Sequence, residues 1–175
     1  MKICSLLPSG TEILFALGLG DQITGVSDLC DYPAEARSKP IVSRSKIDVD
    51  VLSSDEVEKE INRILAAGES PYELDQDWIL TQSPDVVLTQ DLCYFCEVDV
   101  AAINKVLQDL PAQPRVVVLQ PKTLPGIFET ITEIGNVCRA DGLARELVGG
   151  LQKRVRSVES ALTSVGYKPR VFSLE

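Results

Sequence analysis

The sequence predicts an α/β fold: a doubly wound, mostly parallel sheet lobe followed by a long connecting helix. Three observations carry the prediction. Short apolar runs alternate with amphipathic segments between Ile3 and Cys138. The first of them form a strand-helix-strand unit that starts almost at the first residue. An uninterrupted amphipathic stretch from Asp141 to Val165 then breaks the alternation.

Taken in order, Lys2 to Leu7 is an apolar run stopped by Pro8 and Ser9, which reads as an interior strand. Ser9 with Glu12 three residues on has the form of a capping box, so a helix is expected to begin near Gly10. Ile13, Leu14 and Leu17 form its apolar face. Gly18 and Gly20 end that helix, and Ile23 to Val26 is the next strand. Ile41-Val42 reads as a short strand and Ser43 to Asp50 as a polar loop. Ser53 with Glu56 is a second capping box, opening a helix through Val57, Ile61, Ile64 and Leu65 that Gly68 stops. A turn at Glu69-Ser70-Pro71 precedes a short helix from Asp75 to Gln82. Val86 to Thr89 is a buried strand, Asp91 to Asp99 a cysteine-bearing loop and Val100 to Leu110 a helix. Arg115 to Leu119 is the clearest strand, and Pro121 to Pro125 leads from it into a helix ending near Cys138.

Leu143, Leu147, Leu151, Val155, Val158 and Leu162 recur at helical spacing, on a rod of roughly 37 Å that is long enough to bridge two lobes. Gly166 and Lys168-Pro169 then form a turn, and Arg170 to Leu174 reads as a fresh strand. The expected division is an α/β lobe at residues 1–139, a linker helix at 140–166, and at 167–175 a strand with nothing to follow it, which suggests truncation.

Composition narrows the function. The 175 residues are 45% hydrophobic, ample for one core, and contain no uninterrupted apolar stretch of membrane-spanning length. A net charge of -9 argues against general nucleic-acid binding, which needs clustered Lys and Arg. The absence of histidine removes Ser-His-Asp and Cys-His catalysis and any imidazole ligand to a metal. No nucleophile has an obvious base, so the chain reads as a non-enzyme. Met1 is not followed by a basic and apolar leader, so the chain as written reads as cytoplasmic, or as periplasmic or cell-surface if a leader has been removed.

The segments Ile3-Cys4-Ser5-Leu6-Leu7-Pro8-Ser9-Gly10-Thr11-Glu12-Ile13, Ala16-Leu17-Gly18-Leu19, Gly25-Val26-Ser27 and Cys30-Asp31-Tyr32-Pro33 resemble the start of the cobalamin-type, class III substrate-binding proteins of ABC transporters. The resemblance continues in order through Ser43-Arg44-Ser45, Gly68-Glu69-Ser70, Pro84 to Gln90 and Leu92-Cys93 to Cys96. It implies two α/β lobes joined by one long helix, with ligand held between the lobes, so that residues 1–139 are the N-terminal ligand-binding lobe, 140–166 the linker helix and 167–175 the first strand of a truncated second lobe. The implied ligand is a corrinoid such as cobalamin or a similar metal chelate; many relatives of the fold carry iron chelates, haem or metal ions. The implied partners are the transporter's membrane subunits, docking on surface carboxylates for which Glu12, Asp55, Glu56 and Glu69 are eligible.

Strand-end loops converge on one edge of a parallel sheet. The expected ligand lining there is Cys30, Asp31, Tyr32, Arg44, Gln90, Cys93, Tyr94 and Cys96, with Ser9 at a helix N-terminus as an anion or hydrogen-bond anchor. Cys93 and Cys96 form a C-x-x-C pair, and with Cys30 they read three ways: a thiolate site for zinc or an iron-sulfur cluster, a reversible disulfide, or plain reduced thiols. The alternative function is therefore a cytosolic thiol protein that binds metal or exchanges disulfides through Cys30, Cys93 and Cys96. Cys4 and Cys138 read as core filler, as do Trp78, Phe15 and Phe128.

Overall fold

The computed structural model describes residues 1–90, 106–108, 110, 112–167 and 169–173. Its strands are β1 (Ile3–Ser5), β2 (Ile23–Ser27), β3 (Ile41–Ser45), β4 (Tyr72–Leu74), β5 (Val86–Gln90) and β6 (Arg115–Leu119). Its helices are α1 (Pro8–Ala16), α2 (Ser54–Ala66), α3 (Gln76–Gln82), α4 (Leu124–Val137) and α5 (Asp141–Leu162). One six-stranded sheet runs in the order β4-β3-β2-β1-β5-β6. All pairings are parallel except β3 with β4, where Arg44 stands opposite Glu73 and Ser45 opposite Tyr72.

Both faces of the sheet are covered, which is why its central strands read as apolar runs without polar alternation. On one face Ile3, Val86, Leu88, Val117 and Leu119 pack with Leu14 of α1, Ile131 and Ile134 of α4, and Ala144 of α5. On the other, Cys4, Leu6, Val42 and Val87 pack with Ile79 and Trp78 of α3 and with Val106, Leu107 and Leu110. The two coverings approach the backbone closely. A Cβ at Gly25 would come within 2.6 Å of the Trp78 ring, and one at Gly135 would collide with the Ala144 methyl, so glycine lets α4 and α5 cross in contact.

The fold class is as expected, with local differences. The Ser9-Glu12 capping box does not form: α1 starts at Pro8, with Leu7 as N-cap and no side-chain cap. Proline suits the first helical position because its missing N–H would be unpaired there anyway, so Ser9 lies inside the first turn and Glu12 in the second. The second box does form, with the Glu56 carboxylate accepting from the backbone N–H and the hydroxyl of Ser53 at 2.9 and 2.6 Å. Ser43 to Ser45 extend β3 rather than forming a loop, held by the unforeseen antiparallel strand β4. Of the expected helix from Val100 to Leu110, the positions before Val106 lie outside the described residues. The expected tail strand is absent from 169–173, which are fully exposed. A strand exists through its ladder, and among the described residues no other strand pairs with this segment.

Candidate functional site

The sheet order places a switch point at β1, whose neighbours β2 and β5 lead away in opposite directions. Loops leaving β1 and β5 at their C-terminal ends must part there, opening a crevice at that edge. Leu6 donates its N–H to the Leu88 carbonyl at 2.9 Å, which keeps the two strands paired up to the crevice. On one side α1 begins at once, so the amides of its first turn point to the edge with no side chain capping them. Gly10 permits this start: a Cβ there would come within about 3.1–3.2 Å of Leu7, Ser5 and Leu88 side-chain atoms.

The β2 exit loop is tied down by several hydrogen bonds. Asp28 donates its N–H to the Ser43 carbonyl, and its Oδ2 accepts from the Ser45 N–H at 3.0 Å. Its Oδ1 is enclosed with no hydrogen-bond partner. Ser45 in turn bonds Ile47 in both directions, so β2, β3 and their exit loops form one connected edge. Arg37 folds back on Asp31, donating from Nε to its carbonyl at 3.1 Å and from a terminal nitrogen to its carboxylate at 3.3 Å. Both side chains are exposed, so this pair shapes the loop more than it stabilises the fold. Tyr32 next to it is 66% exposed, a large aromatic surface presented to solvent.

The expected lining residues divide into four groups. Ser9, Asp31 and Tyr32 are exposed at the strand-end edge, and Gln90 is half-buried at the end of β5. Arg44 stands instead on β3, in an open groove of ≈ 1070 Å³ that runs along β3 and β4 with Lys46, Glu69, Tyr72 and Glu73. This groove is lined by residues of β3, β4 and the start of α3, including Asp75 and Asp77, and by none of the residues at the β1 switch point. Cys93, Tyr94 and Cys96 lie outside the described residues.

Cys30 is a correction. Only 4% exposed, its thiol turns into the core and meets the hydroxyls of Thr11 and Ser27, each at 3.2 Å. Thr11 also reaches Ser5 at 2.9 Å. These three buried hydroxyls make a small polar pocket that accepts a thiol, which is why Cys30 points inward although it belongs to a loop. It therefore does not line the edge. Among the described residues no group of three His, Cys, Asp or Glu side chains could hold a metal ion. Cys4 and Cys138 are core residues as expected. Burial, reinforced by nearby Cys30, pushes the Cys4 thiol up to about 12, and burial also raises Cys138. Sequence reasoning missed Asp28 and the Ser5-Thr11-Ser27 pocket. The only signal was that Ser5 shares the inward parity of Ile3 on β1.

Compared with known proteins, the chain is 23% identical over 164 residues to an uncharacterised ABC transporter substrate-binding lipoprotein, YvrC of Bacillus subtilis, covering 94% of this chain and 42% of the relative. A 45-residue stretch, 26% of this chain and 16% of the relative, is 44% identical to a vitamin B12-binding protein of Vibrio vulnificus. Its fold matches the crystal structure of the periplasmic vitamin B12 binding protein BtuF of Vibrio cholerae with a TM-score of 0.65 at 21% identity, covering 93% of this chain and 51% of that one. No family model matches the chain. The chain thus spans about half the length of the proteins it matches, and in sequence and fold it resembles the N-terminal lobe and linker helix of cobalamin-type, class III ABC-transporter substrate-binding proteins.

Proposed function

We propose that this chain, built like the first lobe of a class III substrate-binding protein, is a non-enzymatic ligand-binding lobe of an ABC-type uptake system, and that its cargo is a corrinoid or a similar metal chelate. The observation that carries the proposal is the strand-end edge at the β1 switch point. There the uncapped start of α1 lies beside a loop pinned by Asp28 and Arg37 that displays Tyr32. A flat macrocycle with amide side arms suits this edge: the phenol ring packs against its face, and the helix-start amides receive its acceptor groups. The local similarity to a vitamin B12-binding protein supports the corrinoid over other chelates. With no histidine in the chain, the corrinoid binds with its own lower ligand or with water.

Delivery to transporter subunits fits the exposed carboxylates of Glu12, in the second turn of α1, and Asp55, at the start of α2. Such a protein works in the periplasm or at the cell surface, in keeping with the names of the relatives. No described helix is long and apolar enough to cross a membrane.

The test is native mass spectrometry with metal analysis on anaerobically purified protein, titrated with cobalamin, cobinamide and haemin. The expected result is a 1:1 corrinoid adduct, weak because ligand is enclosed from one side only, and weakened a further ~5- to 10-fold by Tyr32→Ala. Preference for haemin would overturn the corrinoid assignment. Stoichiometric zinc or iron that vanishes in Cys93→Ser, Cys96→Ser protein, with no corrinoid adduct, would replace the proposal by the thiol-site reading.

A further inference from the structure

The strand-end edge offers hydrogen-bond donors on one side and a charged acceptor on the other. On the helix side Thr11 donates its N–H to the Leu7 carbonyl, which leaves the N–H groups of Ser9 and Gly10 at the start of α1 without a protein acceptor among the described residues. On the loop side stands Asp31. It follows Cys30, whose sulfur accepts from the Thr11 hydroxyl at 3.2 Å, so the loop is held against the start of the helix. The Asp31 side chain is 68% exposed. Its Oδ2 takes the Arg37 guanidinium at 3.3 Å, and its Oδ1 has no protein donor among the described residues. Arg37 also gives its Nε hydrogen to the Asp31 carbonyl, so the guanidinium of this loop is engaged by the loop itself.

Donors and a carboxylate side by side discriminate between the arms a macrocycle can carry. A primary carboxamide satisfies both, its oxygen accepting from the helix-start amides and its NH2 donating to Asp31. A carboxylate arm satisfies only the amides and sets a like charge beside Asp31. The surroundings add to that penalty, since residues 1–139 hold 11 Lys and Arg against 22 Asp and Glu, and the field of an acidic lobe opposes the approach of a polyanion.

We infer that Asp31 is a specificity-determining residue of this edge, selecting macrocycles whose arms are uncharged carboxamides over the same ring bearing carboxylates. The inference rests on the cargo reading given above and narrows it from metal chelates in general to amide-armed ones. Selection works by exclusion as much as by attraction: the unengaged Asp31 oxygen is a modest gain for an amide and a direct repulsion for an acid. Replacing the aspartate by asparagine removes the charge and leaves an oxygen that can still accept from Arg37, so the loop stays pinned.

The test is equilibrium dialysis of the 175-residue chain at neutral pH and low ionic strength against two corrins, cobinamide with amide arms and cobyrinic acid with carboxylic ones. The ring is the same in both, so its contact with Tyr32 is held constant. The wild-type chain is expected to prefer cobinamide by about tenfold or more. Asp31→Asn should tighten cobyrinic acid about three- to tenfold and move cobinamide by less than about twofold, because it removes a repulsion felt only by the acid. Asp21→Asn, which removes the same charge at the opposite edge, should leave the ratio of the two affinities within about twofold. Equal affinities in the wild-type chain overturn the inference alone and leave the cargo reading standing. So does a preference that Asp31→Asn leaves intact, an equal weakening of both corrins by that variant, or an Asp21→Asn effect as large. Failure of both corrins to bind overturns the cargo reading and this inference with it.

Discussion

The two halves of α5 have the same apolar periodicity and opposite surroundings. Near its start, Ala144 is pressed against Gly135 of α4, and Ile134 beside it is completely buried. Near its end, Val158 and Leu162 face solvent. Periodicity therefore fixes which face of a helix is apolar, while the neighbour fixes whether that face contributes to stability. In the first half the stripe is part of the hydrophobic core; in the second it faces solvent and contributes nothing to that core.

Substitutions that sharpen this contrast should differ most in denaturant unfolding. Ile134→Ala, on α4 beneath the covered half of α5, is expected to cost about 2–5 kcal/mol through lost burial and a cavity. Leu162→Ala should stay within about 0.5 kcal/mol. Equal costs would mean that the distal half is covered after all. Overpacking the crossing tests the same point from the other side: Gly135→Val should destabilise by about 1–3 kcal/mol as its branched side chain drives α4 from α5, whereas Gly150→Val, with open space around it, should not.

Thiol labelling extends the comparison at smaller cost to the fold. At pH 8 and micromolar protein, peptide mapping after alkylation should find Cys138 and Cys30 protected, and a Val158→Cys probe modified at once. Cys4 should be protected as well. Its raised value means that the folded state holds the neutral thiol, so its contribution is complete below the ordinary thiol value near 9.0. It fades as pH climbs from there towards about 12.

The smallest expected effects compare the two candidate capping boxes. Ser53→Ala should cost about 1 kcal/mol, because Ser53 and Glu56 bond reciprocally, and Ser9→Ala should cost almost nothing. The Glu56 carboxyl is held below the ordinary carboxylate range by the Ser53 hydroxyl and then the Ser53 amide. Its support for α2 is thus complete above the ordinary carboxylate value and lost as pH falls through the lowered one. In Ser53→Ala protein that acid-side loss should shrink, measured as α2 ellipticity against pH.

Much of this architecture is legible in the chain. β6 is a run of three valines and a leucine between Arg115 and Gln120, α2 starts on a cap that forms, and α4 starts on the Thr123 cap with Pro125 in its first turn. What was illegible depends on partners distant in sequence. β4 is three residues behind a proline and becomes a strand only because β3 lies beside it. The Ser9-Glu12 pair has the spacing of a cap, yet Pro8 takes the first helical position. Cys30 reads as a loop thiol, and only the convergence of Ser5, Thr11 and Ser27 draws it inside. For the candidate site, Tyr32, Asp31 and Ser9 were readable from their place after strands. Asp28 was not, because its role lies in the Ser45 amide of a neighbouring strand.

The central claim, that cargo sits on the C-terminal edge of the parallel strands, is tested most directly by amide hydrogen exchange with and without saturating cobinamide. The account predicts slowed exchange in 9–12 and 28–33, with no change in the loops at the opposite edge around Asp21 and Asp85. Protection confined to that opposite edge, or to the flank groove along β3 and β4, would contradict it.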